Sequence, residues 1–220
     1  RFDDRVTGNI AKFAPKAKII HIDIDPSAIS KTIRVDVPVI SDVKKAMARL
    51  NKLVKDLRPG IREWLDQVAE WKKKFPLKYD AKAKKILQEQ VIEKIGELTR
   101  HRAIVVTGVG QHQMWTAQWY GFEKPRTMLT SGGLGTMGYG LPATIGAQLG
   151  CPRATVVCIE GDGSFQMTMT ELATAAFYKV PIKVFIMDNG YYGMVRQWQE
   201  LFYKRRYSGS VIGPTSPDFV

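Results

Sequence analysis

Two short polar turns, each directly after an apolar run, carry the residue types best suited to chemistry. Gly161-Asp162-Gly163 follows the run 154–159, and Asp188-Asn189 follows the run 182–187. Mg²⁺ prefers oxygen ligands, takes few of them from protein and completes its shell with phosphate oxygens and water. Glycines beside the carboxylate let the backbone approach a phosphate closely. The pattern therefore predicts a diphosphate held through a divalent metal ion.

The elements around these turns favour that function over a simple tight turn, which Gly-Asp-Gly also forms. Both apolar runs are predicted to be buried strands, and Met169–Tyr178 is predicted to be the helix between them. A further helix is expected to begin at Ser164, with free N–H groups that favour anions. Open α/β sheets bind ligands beyond the carboxyl ends of their strands. Asp162 and Asn189, which are 27 positions apart, are therefore expected at one edge of a sheet.

Two more glycine-bearing segments are expected at the same edge. A strand at Ala103–Thr107 precedes a turn at Gly108 and Gly110, and a helix is predicted over Ile86–Thr99. Residues 131–142 contain five glycines. These glycines either contact a ligand or allow a helix to start in tight contact with the sheet.

The first third of the chain has the pattern of a separate α/β element. The run Lys18–Ile24 is predicted to be a strand that ends in acidic residues, and Val43–Leu57 a helix stopped by Pro59-Gly60. A second amphipathic helix is predicted over Ile61–Trp71. The lysine-rich stretch after it, as far as about Lys84, is predicted to be linker.

Composition describes a globular chain, because 220 residues with 45% hydrophobic side chains can form a sizeable core. No run approaches the ~20 apolar residues that span a bilayer, so a soluble protein is expected. Cys158 lies in an apolar strand pattern, which predicts a small buried side chain, and neither it nor Cys151 has metal-ligand spacing; a reducing compartment is expected. Arg1 and Val220 carry neither a leader nor a capping element, so both ends are expected to be cut from a longer chain.

The formal net charge of +12 is concentrated in one segment. Residues 44–102 contain 17 Lys or Arg against 8 Asp or Glu. No Arg-rich fork, DNA-reading helix pattern or aromatic-basic alternation accompanies this excess. Solvated helix faces and a basic linker are therefore favoured over nucleic-acid binding.

Several long motifs in order carry a resemblance to a known family. The segments Gly108–Trp115, Ser131–Pro142 and Gly193–Trp198, together with the Asp162 and Asn189 turns, resemble the acetohydroxyacid synthases, also called acetolactate synthases. These are thiamine-diphosphate-dependent enzymes, and the resemblance is to their catalytic (large) subunits. It extends over essentially the whole chain, including Arg1–Arg5 and His21–Pro26.

The resemblance implies an α/β fold with a doubly wound parallel sheet, the thiamine-diphosphate-binding fold, preceded by the tail of a Rossmann-like α/β domain. Residues 1–75 are expected to be the C-terminal part of a central FAD-binding domain and residues 76–85 a linker. Residues 86–220 are expected to be a truncated diphosphate-binding, C-terminal domain.

The resemblance also assigns site residues. Asp162, Asn189 and the backbone carbonyl of Tyr191 are expected to bind Mg²⁺, so that the Tyr191 side chain need not matter. The residues expected at thiamine diphosphate are Gln111, His112, Gly135, Met137, Gly163, Ser164, Gly193 and Met194. The residues expected at FAD are Arg5, Asp23, Ile24, Asp42 and Val43.

Within the thiamine diphosphate set the implied roles differ. The residues expected to contact the diphosphate are Gln111, His112, Gly163 and Ser164. The carbonyl of Gly135 accepts a hydrogen bond from the aminopyrimidine, and Met137 lies beneath the bent cofactor. Trp198 is expected to line the substrate channel.

Simpler structural roles remain open for several of these residues. His112 can cap the helix that Gln111 starts, Met137 can fill the core, and Asp23 can cap a turn. Met194 and Trp198 are spaced as neighbours on one helix face, which is typical of packing.

The implied reaction is decarboxylation of pyruvate followed by condensation with a second 2-ketoacid, pyruvate or 2-ketobutyrate, in branched-chain amino acid biosynthesis. Partners expected from the family are a second or further copies of the catalytic subunit, as homodimer or homotetramer, and a regulatory small subunit; neither nucleic acid nor a membrane is expected. The location implied is bacterial cytoplasm or plastid stroma.

Two departures from the family pattern bear on the chemistry. Asp188 stands where the family usually has Asn, but the ligand position is the next one, Asn189. The glutamate that activates the cofactor belongs to an N-terminal domain not in this sequence, so no catalytic residue is assigned. A sibling thiamine-diphosphate enzyme, such as a pyruvate oxidase or decarboxylase, and a non-catalytic cofactor-binding module are the alternatives.

Overall fold

The computed structural model describes residues 2–219. The chain divides into two compact units, with the division between Phe75 and Pro76. Arg1 and Val220, where the chain is expected to be cut, lie outside the described residues. Within residues 2–219, every helix is too short or too polar to cross a bilayer.

Between residues 2 and 75, the first unit contains three α-helices, two strands and two short 3-10 turns. In chain order the α-helices and strands are α1 (Asp4–Thr7), β1 (Ile20–Asp23), β2 (Val37–Ile40), α2 (Val43–Leu53) and α3 (Arg62–Lys74). The strands pair in parallel with Asp23 opposite Ile40, so both end at the same edge. Asp42 then caps α2, because its carboxylate accepts a hydrogen bond from the backbone N–H of Lys45 (3.1 Å).

The predicted C-terminal ends of α2 and α3 were each wrong by about one turn or less. α2 ends at Leu53 rather than Leu57; residues before Pro59 turn instead, with the N–H of Leu57 donating to the carbonyl of Val54 (3.0 Å). α3 continues to Lys74, through lysines that were assigned to the linker. Lysine is a good helix former, and its charge is favourable at a helix C-terminus.

The second unit is built on a four-stranded parallel sheet in the order β4-β3-β5-β6. Its elements in chain order are α4 (Gln88–Leu98), β3 (Ile104–Thr107), α5 (Gln111–Trp119), β4 (Met128–Thr130), α6 (Gly140–Gly150), β5 (Val156–Gly161), α7 (Asp162–Gln166), α8 (Leu172–Phe177), β6 (Lys183–Met187) and α9 (Gly193–Phe202). Residues 76–85 contain neither helix nor strand.

The register brings the carboxyl ends of all four strands to one edge. Thr107 lies opposite Thr130 of β4 and Ile159 of β5, and Gly161 lies opposite Met187 of β6. Each strand is followed at that edge by one of the glycine-bearing segments identified in the sequence. The expected convergence of these segments is therefore confirmed.

Helices cover both faces of the sheet, as expected for a doubly wound fold. Because side chains alternate along a strand, Val157 and Ile159 face one side, where they join a core cluster with Ile92 and Ile95 of α4. On the other face Cys158 meets Thr144 of α6. The prediction that Cys158 is buried is confirmed, and burial raises the pKa of its thiol to about 12.

Three details of this unit differ from the sequence prediction. Strand β4 was not predicted, since it has only three residues. Strand β5 runs to Gly161 instead of Ile159, because its last residues still pair with β6. The helix predicted over Met169–Tyr178 is a 3-10 turn at Met169–Glu171 followed by α8, and the one predicted from Ser164 is the short α7.

Candidate active site

A pocket lies at the carboxyl edge of the sheet in the second unit. Segments after β3, β5 and β6 line it, together with the glycine-rich segment after β4. The predicted site residues that line it are Gln111, His112, Met137, Asp162, Gly163, Ser164, Asn189, Tyr191, Gly193 and Met194. Positions far apart in sequence thus meet in one place.

The Asp162 turn, residues 161–164, is buried at the end of β5. The Asp162 side chain is 2% exposed, and its two oxygens accept hydrogen bonds from the backbone N–H groups of Gly163 (2.9 Å) and Gly190 (2.7 Å). Burial raises the pKa of Asp162 above its usual value, these two N–H groups lower it, and the neighbouring carboxylate of Asp188 raises it further. A cation here would relieve both the burial and the repulsion between the two carboxylates.

The Asn189 turn, residues 188–192, follows β6; its first two residues are exposed and its last three are half-buried. The amide oxygen of Asn189 accepts a hydrogen bond from the N–H of Tyr191 (2.9 Å). A second stretch, residues 207–213, hereafter the return segment, pairs with the turn. The carbonyl of Gly190 accepts from the N–H groups of Ile212 and Gly213 (both 2.9 Å), and the N–H of Tyr192 donates to the carbonyl of Ser210 (2.9 Å).

The donors in the pocket fit Mg²⁺ rather than a metal held by protein alone. Within the described residues, no group of three or more His, Cys, Asp or Glu side chains could hold a metal ion. The pocket instead offers one buried carboxylate, side-chain amides that include that of Asn189, and backbone carbonyls. Such a set leaves most of an octahedral shell to phosphate oxygens and water, as Mg²⁺ prefers.

Two polar side chains of the pocket are held by contacts with neighbouring segments. The hydroxyl of Ser164 accepts a hydrogen bond from the N–H of Gly138 (3.0 Å), which ties the glycine-rich segment to α7. The side-chain amide of Gln111 donates to that of Gln197 on α9 (2.9 Å). A Cβ atom on Gly193 would overlap the Gln111 side chain, so glycine at 193 allows this close approach.

Glu160 was not predicted as a site residue, yet its carboxylate is fully buried beside the pocket. Its oxygens have no hydrogen-bond partner of standard geometry among residues 2–219. A Cβ atom on either Gly108 or Gly140 would overlap the carboxylate. Glu160 therefore fills the space that these two glycines leave between β3 and the start of α6.

His112 is a titratable neighbour of Glu160. Its Nε2 atom lies 3.8 Å from Glu160 Oε2, beyond hydrogen-bond distance. Burial raises the pKa of Glu160 to about 7, an effect that the nearby Ser164 hydroxyl and backbone N–H groups partly offset. Burial lowers the pKa of His112 to about 4. At neutral pH His112 is therefore uncharged, and the contact is not an ion pair.

The residues that form this pocket belong to a known family of cofactor-binding domains. Residues 108–220 match the family model described as "Thiamine pyrophosphate enzyme, C-terminal TPP binding domain". The chain belongs to the thiamine pyrophosphate enzyme family. Residues 1–50 match the model of the central domain of the same enzymes. The family assigned from the sequence motifs is confirmed, as is the fold.

Curated relatives match the whole of this chain. It is 45% identical to the acetolactate synthase isozyme 3 large subunit of Escherichia coli, 51% identical to the acetolactate synthase large subunit of Corynebacterium glutamicum and 50% identical to an acetolactate synthase of Mycobacterium leprae. It spans 39% of the first relative and 36% of the other two.

Two predicted residues lie outside the pocket lining: Gly135, expected at thiamine diphosphate, and Trp198, expected in the substrate channel. Gly135 has a φ of +69°, which favours glycine, and a Cβ atom there would lie 3.8 Å from Val109, which does line the pocket. Trp198 lies in an apolar groove that begins at Met194 and is 56% exposed. Its ring packs on Phe202 (centroids 5.0 Å apart), as helix spacing predicts.

The residues predicted at FAD in the first unit are only partly brought together. Asp23 lines a cavity of about 700 Å³ with Phe2 and Asp3. Arg5 lies next to this cavity through its ion pair with Asp3 (3.6 Å). The others, Ile24, Asp42 and Val43, follow the strand ends at one edge but do not line the cavity.

Proposed function

We propose that this chain carries the diphosphate-binding half of the active site of an acetolactate synthase. The full reaction would be decarboxylation of pyruvate and condensation with a second 2-ketoacid, pyruvate or 2-ketobutyrate, in the biosynthesis of valine, leucine and isoleucine. The observation that carries the proposal is the single pocket that unites the Asp162 turn, the Asn189 turn and the segment Gly110–His112.

Mg²⁺ would be held by Asp162, Asn189 and the carbonyl of Tyr191. Support comes from the buried carboxylate of Asp162, which accepts hydrogen bonds from two backbone N–H groups and has no ion pair with a cationic side chain among residues 2–219. Gln111, His112, Gly163 and Ser164, which line the same pocket, would contact the diphosphate. The neutral state of His112 suits a hydrogen-bonding role there rather than a fixed positive charge.

The remaining thiamine diphosphate residues would orient the organic part of the cofactor. Gly135 would accept from the aminopyrimidine, Met137 would pack beneath the cofactor, and Gly193 and Met194 would close the other side. Bound thiamine diphosphate supplies the electron sink that decarboxylation of a 2-ketoacid needs. Trp198, on the exposed groove next to Met194, would line the path of the second ketoacid.

FAD is proposed for the first unit, with Arg5, Asp23, Ile24, Asp42 and Val43 as contacts. Support comes from the strand edge at which Asp23 and Asp42 both lie, where an acidic side chain can bind a ribose hydroxyl. Residues 1–75 would then be the end of a central FAD-binding domain, 76–85 a linker and 86–220 the thiamine diphosphate domain.

The assembly proposed follows from the names of the relatives. Two of the relatives are called large subunits, so a regulatory small subunit is proposed as a partner here, together with a homodimer or homotetramer of the catalytic chain. The activating glutamate would come from a domain outside these residues. A cytoplasmic location is proposed because the relatives are bacterial.

The test is acetolactate formation from pyruvate by the full-length protein with thiamine diphosphate, Mg²⁺ and FAD. Wild type should form acetolactate, and adding 2-ketobutyrate should give acetohydroxybutyrate. Asp162→Ala should lose more than about 100-fold of this activity, since it removes the charged metal ligand.

Other outcomes separate the alternatives. Acetaldehyde or acetate in place of acetolactate would move the assignment to a sibling enzyme. Mg²⁺-dependent binding of thiamine diphosphate without any turnover of pyruvate would indicate a non-catalytic module, and an unchanged Asp162→Ala variant would refute the metal site.

A further inference from the structure

The side chain of Tyr191 has a partner that its proposed role does not require. Its backbone carbonyl is the proposed metal ligand, a role that any residue can fill. Its ring, however, lies against the guanidinium of Arg196, whose Cζ atom is 3.8 Å from the ring centroid. The same Cζ atom is 5.0 Å from the ring centroid of Tyr207. One cation thus contacts two aromatic rings from different segments.

These three residues join two segments that line the pocket to the return segment. Tyr191 belongs to the Asn189 turn, Arg196 lies in the first turn of α9, and Tyr207 begins the return segment. The backbone adds to this connection, because Tyr191 forms an antiparallel bridge with Val211. The Arg196 side chain therefore connects the same two segments that the backbone bridge pairs, the Asn189 turn and the return segment.

A second link ties the return segment to α9 through Gln199. Its side-chain amide donates to the carbonyl of Ser208 (2.8 Å), and its amide oxygen accepts from the hydroxyl of the buried Ser210 (2.8 Å). The backbone of Ser210 in turn accepts from Tyr192 (2.9 Å). Turn, helix and return segment thus form a closed loop of contacts around Tyr191.

We propose that Arg196 is a positioning residue for the metal site, which stacks on Tyr191 and Tyr207 to fix the backbone of Tyr191 in the orientation that presents its carbonyl to Mg²⁺. The inference rests on the proposed metal site. It assigns the Tyr191 side chain a function, where the family resemblance alone left it without one. The charge and the planar shape of the guanidinium are both needed, because the group stacks on aromatic faces in a way that an ammonium does not.

The experiment measures Mg²⁺-dependent binding of thiamine diphosphate to the full-length protein by isothermal titration calorimetry. Arg196→Met, which keeps an unbranched side chain, should raise the Mg²⁺ concentration at half-saturation about threefold to tenfold. Arg196→Lys should fall between Met and wild type. At saturating Mg²⁺ the variant should bind thiamine diphosphate as wild type does, and its melting temperature without metal should match that of wild type.

Two further variants identify the rings as the cause. Tyr207→Leu should shift the Mg²⁺ half-saturation in the same direction as Arg196→Met, and Tyr207→Phe, which keeps the ring face, should restore it. Combining Tyr207→Leu with Arg196→Met should cause no larger shift than Arg196→Met alone, since Arg196→Met already removes the contact with Tyr207. Arg205, which pairs with Glu200 (3.6 Å) and stacks on no ring within residues 2–219, is the matched control; Arg205→Ala should leave the half-saturation unchanged.

The outcomes separate this inference from the proposed function. If Asp162→Ala abolishes Mg²⁺-dependent binding while Arg196→Met binds Mg²⁺ as wild type does, the metal site stands and the positioning role is wrong. Additive shifts in the double variant would also overturn it. If wild type binds thiamine diphosphate without any dependence on Mg²⁺, both proposals fail.

Discussion

The Asp162 turn lies at the end of β5, which pairs with a strand on each side, whereas the Asn189 turn follows β6 at the edge of the sheet. The Asp162 side chain is buried, and its turn is held by sheet pairing and the core. In the Asn189 turn, Asp188 and Asn189 are exposed, and the turn is held mainly by the return segment. Two halves of one proposed metal site therefore depend on different forces, namely packing in one and a small number of surface contacts in the other. Their responses to substitution should differ accordingly.

The largest expected effect concerns the two proposed ligands. Asp162→Ala should weaken Mg²⁺-dependent binding of thiamine diphosphate more than about 100-fold, because it removes a buried charge that nothing else in the pocket replaces. Asn189→Ala removes an exposed neutral amide, and about tenfold weaker binding is expected. Calorimetric titration of both variants with Mg²⁺ measures the difference. Equal losses would contradict the distinction between the two turns.

A second expected effect is a pH dependence of stability, caused by the buried Glu160 next to the Asp162 turn. The pKa of Glu160 is raised from 4.5 to about 7 in the folded protein, so its contribution to stability is complete below pH 4.5 and is lost as pH rises through 7. Glu160→Gln carries no titratable group at this position. Its free energy of unfolding should therefore rise by about 3 kcal/mol relative to that of wild type between pH 4.5 and pH 8. Urea unfolding at several pH values measures this gain.

His112 gives the opposite slope in the same range and must be separated from Glu160. Its pKa is lowered from 6.5 to about 4, so its contribution is complete above pH 6.5 and is lost as pH falls through 4. Wild type should therefore show a nearly flat profile from pH 4.5 to 6.5, whereas Glu160→Gln should become more stable as pH rises. Parallel profiles for the two proteins would show that Glu160 does not titrate as described.

A third, smaller effect is expected where the two turns touch. A Cβ atom on Gly163 would come within 2.5 Å of the Tyr192 ring and 3.0 Å of Ile212, one from the Asn189 turn and one from the return segment. Gly163→Ala should lower the free energy of unfolding by about 1–3 kcal/mol. Gly132→Ala is the matched control, since nothing lies within 4 Å of its Cβ position, and a change below about 0.5 kcal/mol is expected. Similar changes in the free energy of unfolding for Gly163→Ala and Gly132→Ala would show that the Asn189 turn and the return segment move to accept the methyl group without loss of stability.

The smallest expected effect lies on the exposed side. Asp188→Asn removes the carboxylate that raises the pKa of Asp162, so the pKa of Asp162 should fall while burial still keeps it above its usual value. Because Asp188 is exposed, the free energy of unfolding should change by less than about 0.5 kcal/mol. Carboxyl NMR titration of metal-free protein measures the pKa. A rise instead of a fall would mean that Asp188 does not act on Asp162 as a like charge.

The sequence predicted the buried half of the site better than the exposed half. The Asp162 turn follows a run of apolar residues whose burial follows directly from their chemistry, and a parallel sheet then fixes where the run ends. The return segment was missed because it pairs through backbone groups and scattered polar side chains, such as Ser208 and Ser210, with no hydrophobic period to indicate it. Contacts of this kind depend on the folded path of the chain.

Glu160 was missed for a different reason. An acidic residue at the end of a strand usually indicates a solvated turn, and only the structure reveals that Gly108 and Gly140 leave a space into which its carboxylate fits. The available signal was its position directly before the Asp162 turn, within a strand whose other residues are apolar. β4 escaped prediction because three residues are too few to show any period.

The space shared by Gly108, Gly140 and Glu160 also constrains the order in which these positions can change during evolution. While Glu160 is present, any larger residue at either glycine overlaps its carboxylate, so the first step must shorten position 160. Once the side chain at position 160 is small, alanine at 108 or 140 no longer overlaps a carboxylate there. After such an alanine is in place, glutamate at position 160 would overlap its methyl group. The three positions should therefore vary as a linked set, and the route taken through them should be hard to reverse.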